Sequence, residues 1–289
     1  MVGPPIAAGP VPSAPRLSAA KRDRRQPFRR GDGPVRALVL HGLSGSPHEV
    51  RPFAEALADL GLAVDVPLLP GHDDVEALAR VGADEWLDAA RAAFDRLADG
   101  ASHVAVVGFS MGALLTLCLC AERAPSIRAA VCAGTPLELA PSSQVAVDGL
   151  RRLHAAIPGA HPFAPVAKGL PDVRLASEAV SNPGVMAFPT TALAALADLQ
   201  ARARAALDRI RCPLGLLHGL HDHTAPVTNV DTVAAQASSP RIETRILPES
   251  FHLVGVDLEA PAAIRFVRDF VQRHVLAPTH EPPYQEPSA

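Results

Sequence analysis

The segment VAVVGFSMGALLTLCL, residues 104–119, constrains the fold more than any other stretch of the chain. It opens on a short run apolar on both faces, the mark of a strand buried in a parallel sheet with helices on either side. It closes on a run apolar nearly all round, as a helix packed against such a sheet should be. Only Gly108, Phe109, Ser110, Met111 and Gly112 separate the two. The chain must therefore turn sharply from strand to helix. The flanking glycines keep Cβ atoms out of crowded space, while Ser110 is held with its hydroxyl above the sheet edge.

The same alternation runs through most of the sequence. Strand-length apolar runs occur at VRALVL, AVDVPLL, HVAVVGF, IRAAVCA, CPLGLLHG and RIETRILP. Helical patterns lie between them: SPHEVRPFAEALADLG starts with Ser46 and Pro47 in the cap and first-turn positions and stops at Gly61. ADEWLDAARAAFDRLADG spaces its apolar residues three and four apart. The expected fold is α/β, a doubly wound and mostly parallel sheet. Residues 136–206 interrupt the pattern with helix-like pieces broken by Pro158, Pro162, Pro165, Pro171 and Pro183, and without a strand pattern. An insertion placed after the strand around 127–133 lies above the C-terminal sheet edge, where such sheets bind ligands, and reads as a helical cap.

Hydrophobic residues make up 48% of the 289 and charged residues 20%, which excludes disorder throughout and suits one large domain over residues 32–275. No run reaches the roughly 18 apolar residues of a membrane span, and the N-terminus lacks the apolar core of a signal peptide. A cytoplasmic setting is expected. Cys118, Cys120, Cys132 and Cys212 sit in apolar runs and read as buried, reduced thiols. Residues 1–31 carry seven Lys or Arg against one acidic residue, Asp23, in a chain of net charge −3. Without aromatic interleaving or helical periodicity, this reads as a solvated, disordered Pro/Arg-rich arm rather than a nucleic-acid or membrane anchor. Residues 276–289 read as a second disordered tail.

A serine hydroxyl needs a positioned base, and the base needs an acid to hold its tautomer. In a fold with this turn the acid and the histidine follow the serine in that order. Asp222 stands just beyond the strand in LGLLHGLHDHTAP, and His252 stands in the loop after the next strand, in ILPESFHLVGVDLE. Both fall at the same sheet edge as Ser110. Glu138, after the strand IRAAVCA, is a rival for the acid, because it could reach the same imidazole from the neighbouring loop. His218, His221 and His223 cluster near Asp222, but one extended loop points alternate side chains apart and offers no second ligand set, so no metal is expected. The turn HGLSGS after the first strong strand places the backbone N–H of Leu43 beside that of Met111 as a pair of donors for an oxyanion, with Gly42 and Gly45 allowing close approach.

With these motifs in order, the chain resembles the bacterial carboxylesterases and monoacylglycerol lipases of the α/β-hydrolase superfamily. The likeness spans about residues 34–275 and rests on LVLHGLSGSPHEV with the later PGHD turn, GFSMG, HGLHDHTAP and ESFHLVGVDLE. Asp73 stands where that family usually has glycine, Ala113 replaces a second glycine after the elbow, and the first strands are shortened to PFRRGDGPVRA. The resemblance implies Ser110 as nucleophile, Asp222 and His252 as its partners, Leu43 and Met111 as oxyanion donors, no cofactor, and a small cap over an acyl site. The expected activity is hydrolysis of short- to medium-chain esters, including monoacylglycerols, on a small-molecule substrate and without membrane insertion. Acyl transfer, thioester cleavage or cofactor-free perhydrolysis on the same residues, or a non-catalytic binding module, are the alternatives.

Overall fold

The chain is seen in a computed structural model that describes residues 19–157 and 165–276. In chain order the elements are α1 (Ala19–Arg24), β1 (Phe28–Arg30), β2 (Val35–Leu40), α2 (Arg51–Asp59), β3 (Ala63–Val66), α3 (Val75–Leu78), α4 (Ala83–Ala98), β4 (His103–Phe109), α5 (Met111–Glu122) and β5 (Ile127–Ala133). Then come α6 (Pro141–Ala156), β6 (Val166–Ala167), α7 (Ala176–Ser181), β7 (Ala187–Phe188), α8 (Thr190–Ala206), β8 (Leu214–Gly219), α9 (Asn229–Gln236), β9 (Ile242–Leu247) and α10 (Ala260–Val271).

Seven strands form one sheet in the order β1-β3-β2-β4-β5-β8-β9. All neighbours pair in parallel except β1, which runs antiparallel to β3 along the edge. The strand alternation divides the core in two. Leu38, Leu40, Val104 and Val106 face the cluster holding Trp86 and Leu114, whereas Ala37, Val39, Ala105 and Val107 face the cluster holding Phe53 and Phe270. Burial on both faces is what makes these strands read as continuous apolar runs. From β2 the chain crosses to β3 on one side, then to β4 on the other, so the order reverses between β2 and β4. Loops leaving two adjacent strands at such a reversal part from each other and leave a crevice at their C-terminal ends.

The cap departs from its expected all-helical form. Val166 and Ala167 pair antiparallel with Phe188 and Ala187 in a two-stranded ribbon, too short for alternation to show in sequence. Its last helix also does not end at the cap: Leu199 and Ala203 of α8 join the core cluster around α5. The alanine-rich stretch TTALAALADLQARARAA carries no break, and small side chains let α8 run from cap to sheet layer as one rod.

Part of the expected arm, residues 19–30, holds defined structure. Residues 1–18 and 277–289 lie outside the described residues, but 19–30 carry α1 and β1, with Arg25 buried and Lys21, Arg24 and Phe28 half-buried. Arg29 pairs with Asp65 at 3.0 Å beside β1, and Arg30 with Asp59 at 2.9 Å. Lys21 donates to the carbonyls of Val180 and Asn182 (3.2 Å each), Arg24 donates to that of Ser181 (2.9 Å) and pairs with Glu178 (3.1 Å), and the Arg25 guanidinium reaches the His72 carbonyl. The cations meet the last carbonyls of a cap helix, a partnership no local periodicity can signal. Because Glu178 is nearly buried, Arg24→Met should destabilise the chain by about 1–3 kcal/mol, seen as a lower urea midpoint at unchanged slope. A shift below about 0.3 kcal/mol would show that the arm is not held there.

Among the described residues no helix is long and apolar enough to cross a membrane. The four cysteines are free and buried.

Candidate active site

Ser110 occupies the sharp turn from β4 to α5 with φ 54° and ψ −122°, a left-handed conformation that costs a non-glycine residue about 1–3 kcal/mol. The two flanking glycines show why the turn tolerates no side chain at positions 108 and 112. A Cβ on Gly108 would lie 2.1 Å from the Gly112 carbonyl oxygen, and one on Gly112 would lie 2.2 Å from that of Leu40. The helix thus starts in direct contact with the end of β2. The Ser110 N–H donates to the Ala133 carbonyl on β5 at 2.9 Å, which ties the strained turn to the next strand.

His252, in the loop after β9, is 5% exposed and brings its Nε2 to 2.9 Å from Ser110 Oγ. Its Nδ1 lies 2.7 Å from Asp222 Oδ2 in the loop after β8. The other carboxylate oxygen accepts the N–H groups of Thr224 (2.9 Å) and Ala225 (2.8 Å), which sets the plane of the acid. Burial opposes ionisation of Asp222, but attraction to His252 and hydrogen bonds from His218 and His252 hold its carboxyl well below the usual carboxylate range. Burial likewise opposes the imidazolium of His252, yet the Asp222 charge and hydrogen bond, with Asp172 and Glu49 behind them, raise its pKa above that of a free imidazole. Phe109 packs on the imidazole with ring centroids 4.9 Å apart.

Glu138 lies elsewhere. Its side chain is 62% exposed and paired with Arg204 at 2.8 Å, turned to solvent by the loop that Asn229 holds through both backbone groups of Glu138. The histidines near Asp222 also part company. The buried His218 places Nε2 3.0 Å from both the Ala225 carbonyl and Asp222 Oδ2, while His223 pairs with Asp172 of the cap at 2.8 Å. Asp172 in turn accepts from the Thr224 hydroxyl at 2.9 Å, so the cap and the acid's loop are bound to each other.

Gly42 and Leu43 follow β2, and Met111 follows β4, so both expected donors stand at the sheet reversal next to Ser110. Gly42, Leu43 and Ser110 open onto a cavity of about 460 Å³ under the cap. One part of its wall is apolar, with Leu139, Val147 and Leu150 around α6 and Leu193 and Leu196 on α8. Another part is charged, with Glu49 and Lys168. Lys168 Nζ donates to Ser44 Oγ at 2.8 Å; burial pushes its pKa down and that of Glu49 up. Neither residue carries a readable signal in the sequence. Glu49 sits in an ordinary helix start, and Lys168 reaches the cavity only because the ribbon lays it across the Ser44 turn. His72 and Asp73 do not line the cavity; His72 is buried beside His41, ring centroids 4.8 Å apart.

The sequence matches the Hydrolase_4 family model, described as Serine aminopeptidase, S33, over residues 34–259. It is 32% identical over 256 residues to the thermostable monoacylglycerol lipase of Bacillus sp. (strain H-257), covering 86% of this chain and 95% of that protein. It is 23% identical over 253 residues to a carboxylesterase of Bacillus subtilis (strain 168), covering 86% of this chain and 96% of that one. In fold it is similar to a solved structure from work on the metagenome-derived lipolytic enzymes LipS and LipT, with a TM-score of 0.78, 24% identity and 86% and 98% of the two chains covered. Against the Paleococcus ferrophilus monoacylglycerol lipase the TM-score is 0.70 at 17% identity, with 84% and 98% covered. The helix-covered parallel sheet, the strained strand-to-helix turn and these matches agree, and the chain belongs to the Hydrolase_4 family, in the carboxylesterase and monoacylglycerol lipase group of α/β-hydrolase enzymes.

Proposed function

We propose that this chain hydrolyses carboxylic esters of short to medium acyl length, monoacylglycerols among them, through Ser110, His252 and Asp222. The observation that carries the reading is the 2.9 Å contact between His252 Nε2 and Ser110 Oγ at an apolar-walled cavity. His252 takes the hydroxyl proton as Ser110 Oγ attacks the ester carbonyl, and Asp222 holds the imidazole in the tautomer that leaves Nε2 free to accept it. The carbonyl oxygen becomes an oxyanion facing the N–H groups of Leu43 and Met111; the latter begins α5, where unsatisfied donors favour an anion. The C–O bond to the alcohol then breaks, the alcohol leaves with the proton from His252, and water repeats the sequence on the acyl-enzyme to release the acid. The acyl chain lies against α6 and α8, and the polar wall takes the alcohol side. Four free, buried thiols suit the cytoplasmic setting.

The apolar wall makes a graded prediction. Each buried methylene is worth about 0.8 kcal/mol, or roughly fourfold in affinity, until the cavity ends. For p-nitrophenyl esters, kcat/KM should rise from acetate to a short or medium chain and then fall, without activation by an oil interface. Rates flat across acyl length would defeat the apolar acyl site, and strong preference for emulsified long-chain triglyceride would mean that the cap opens far more widely.

A further inference from the structure

We infer that His41 is a positioning residue for the oxyanion site, its imidazole holding the peptide plane that carries the Leu43 N–H. The inference rests on the ester-hydrolase reading above, in which that N–H faces the oxyanion.

His41 is the residue after β2, fully buried and outside the cavity wall. Both of its ring nitrogens are engaged. The Leu69 N–H donates to Nε2 at 3.0 Å, so Nε2 is an acceptor and the ring proton sits on Nδ1. Nδ1 then donates to the Gly42 carbonyl at 2.9 Å, and the same oxygen accepts the Gly45 N–H at 3.1 Å. The Gly42–Leu43 peptide is planar and trans, so its C=O and N–H point in opposite directions. Two donors holding the carbonyl on the protein side aim the Leu43 N–H the other way, toward the cavity that Gly42 and Leu43 line.

The anchor is braced at each end. Leu69 belongs to the loop after β3, so the ring spans the ends of two neighbouring strands. The His41 backbone is itself wedged by the elbow, since a Cβ on Gly112 would lie 2.8 Å from the His41 carbonyl oxygen. On the far side, a Cβ on Gly42 would lie 3.0 Å from that of Ser110, which places the held peptide directly against the attacking residue. A protonated ring would turn a second N–H against that of Leu69. Burial, seconded by the neighbouring His72 and Arg25, keeps the imidazole neutral. A rigid ring with one donor and one acceptor on opposite sides joins the two backbone groups in a single step.

The test uses the full chain. His41→Leu should lower kcat by about 10²–10³-fold, the range found when an oxyanion donor is lost, with KM changed less than about threefold. Affinity for an alkyl boronic acid, which forms a tetrahedral adduct on a reactive serine, should fall in parallel. His41→Asn, which keeps a donor near Nδ1, should recover at least about tenfold of the lost kcat. Because either variant could fold poorly, the imidazole of the wild-type chain labelled with nitrogen-15 histidine is read by NMR: His41 should be the Nδ1–H tautomer and should not titrate between about pH 5 and 9. An Nε2–H tautomer, titration in that range, or folded His41→Leu turning over at the wild-type rate overturns the inference alone. A wild-type chain that cleaves no ester overturns the ester reading and this inference with it.

Discussion

Ser110→Ala is expected to abolish ester turnover and fluorophosphonate labelling while the chain folds as before. Only the oxygen is removed, and it is the atom that would form the acyl-enzyme bond. Loss of a triad nucleophile in a serine hydrolase costs on the order of 10⁶-fold in kcat, leaving what binding and the oxyanion donors supply. Folding should change little. Alanine at φ 54° meets the same backbone strain that serine already bears, and among the described residues the side-chain hydrogen bond lost is the one to His252, worth about 1 kcal/mol. Circular dichroism and urea unfolding would establish the fold, and intact mass after a slow ester substrate would look for an acyl adduct. An acyl-enzyme formed by the variant would remove Ser110 from the proposed role.

Replacement of the acid should be almost as costly. Asp222→Asn is expected to lower kcat by about 10⁴-fold, by analogy with the same change in a serine protease, whereas Glu138→Gln should stay within about threefold. The physical reason is directional. Asn can turn an NH₂ toward His252 Nδ1, which favours the wrong tautomer and leaves Nε2 protonated when it should accept. Glu138, paired with Arg204 and largely exposed, has no such consequence. The pH profile adds a sign. His252 must be neutral to act as base, and its pKa is raised in the native site, so wild-type activity should be lost as pH falls through a value above that of free imidazole. In Asp222→Asn the main raising influence is gone while burial remains, so the acid limb of the residual activity should move to lower pH. A larger loss in Glu138→Gln, or an unmoved acid limb in a folded Asp222→Asn, would transfer the role of acid elsewhere.

The contrast between these two carboxylates shows where sequence reasoning stops. Both follow strands of one sheet, β5 and β8, and both end near the same edge. Strand spacing alone allows either to reach the imidazole. Hydrogen bonds with Asn229, which accepts the Glu138 N–H and donates to the Glu138 carbonyl, turn the Glu138 loop outward, while the N–H groups of Thr224 and Ala225 hold the Asp222 carboxylate under His252. The arm gives a second case. Its charges read as solvated because they follow no helical period, yet they pair with Glu178 and the carbonyls of Val180, Ser181 and Asn182, about 160 positions away.

By itself the sequence determined the parallel sheet, its covering helices and the elbow at Ser110, because each follows from residues within one element or one turn. Strands buried on both faces are apolar throughout, helices carry caps and periodic faces, and a turn as tight as this one excludes side chains at its two ends, Gly108 and Gly112. Tertiary structure alone decided the placement of the arm, the Glu49 and Lys168 wall, the ribbon in the cap and the hold of His41 on the Gly42 carbonyl. Those depend on side chains and backbone groups brought together from separate elements across a few ångströms, and a hydrogen bond at that range leaves no periodicity in the chain to read.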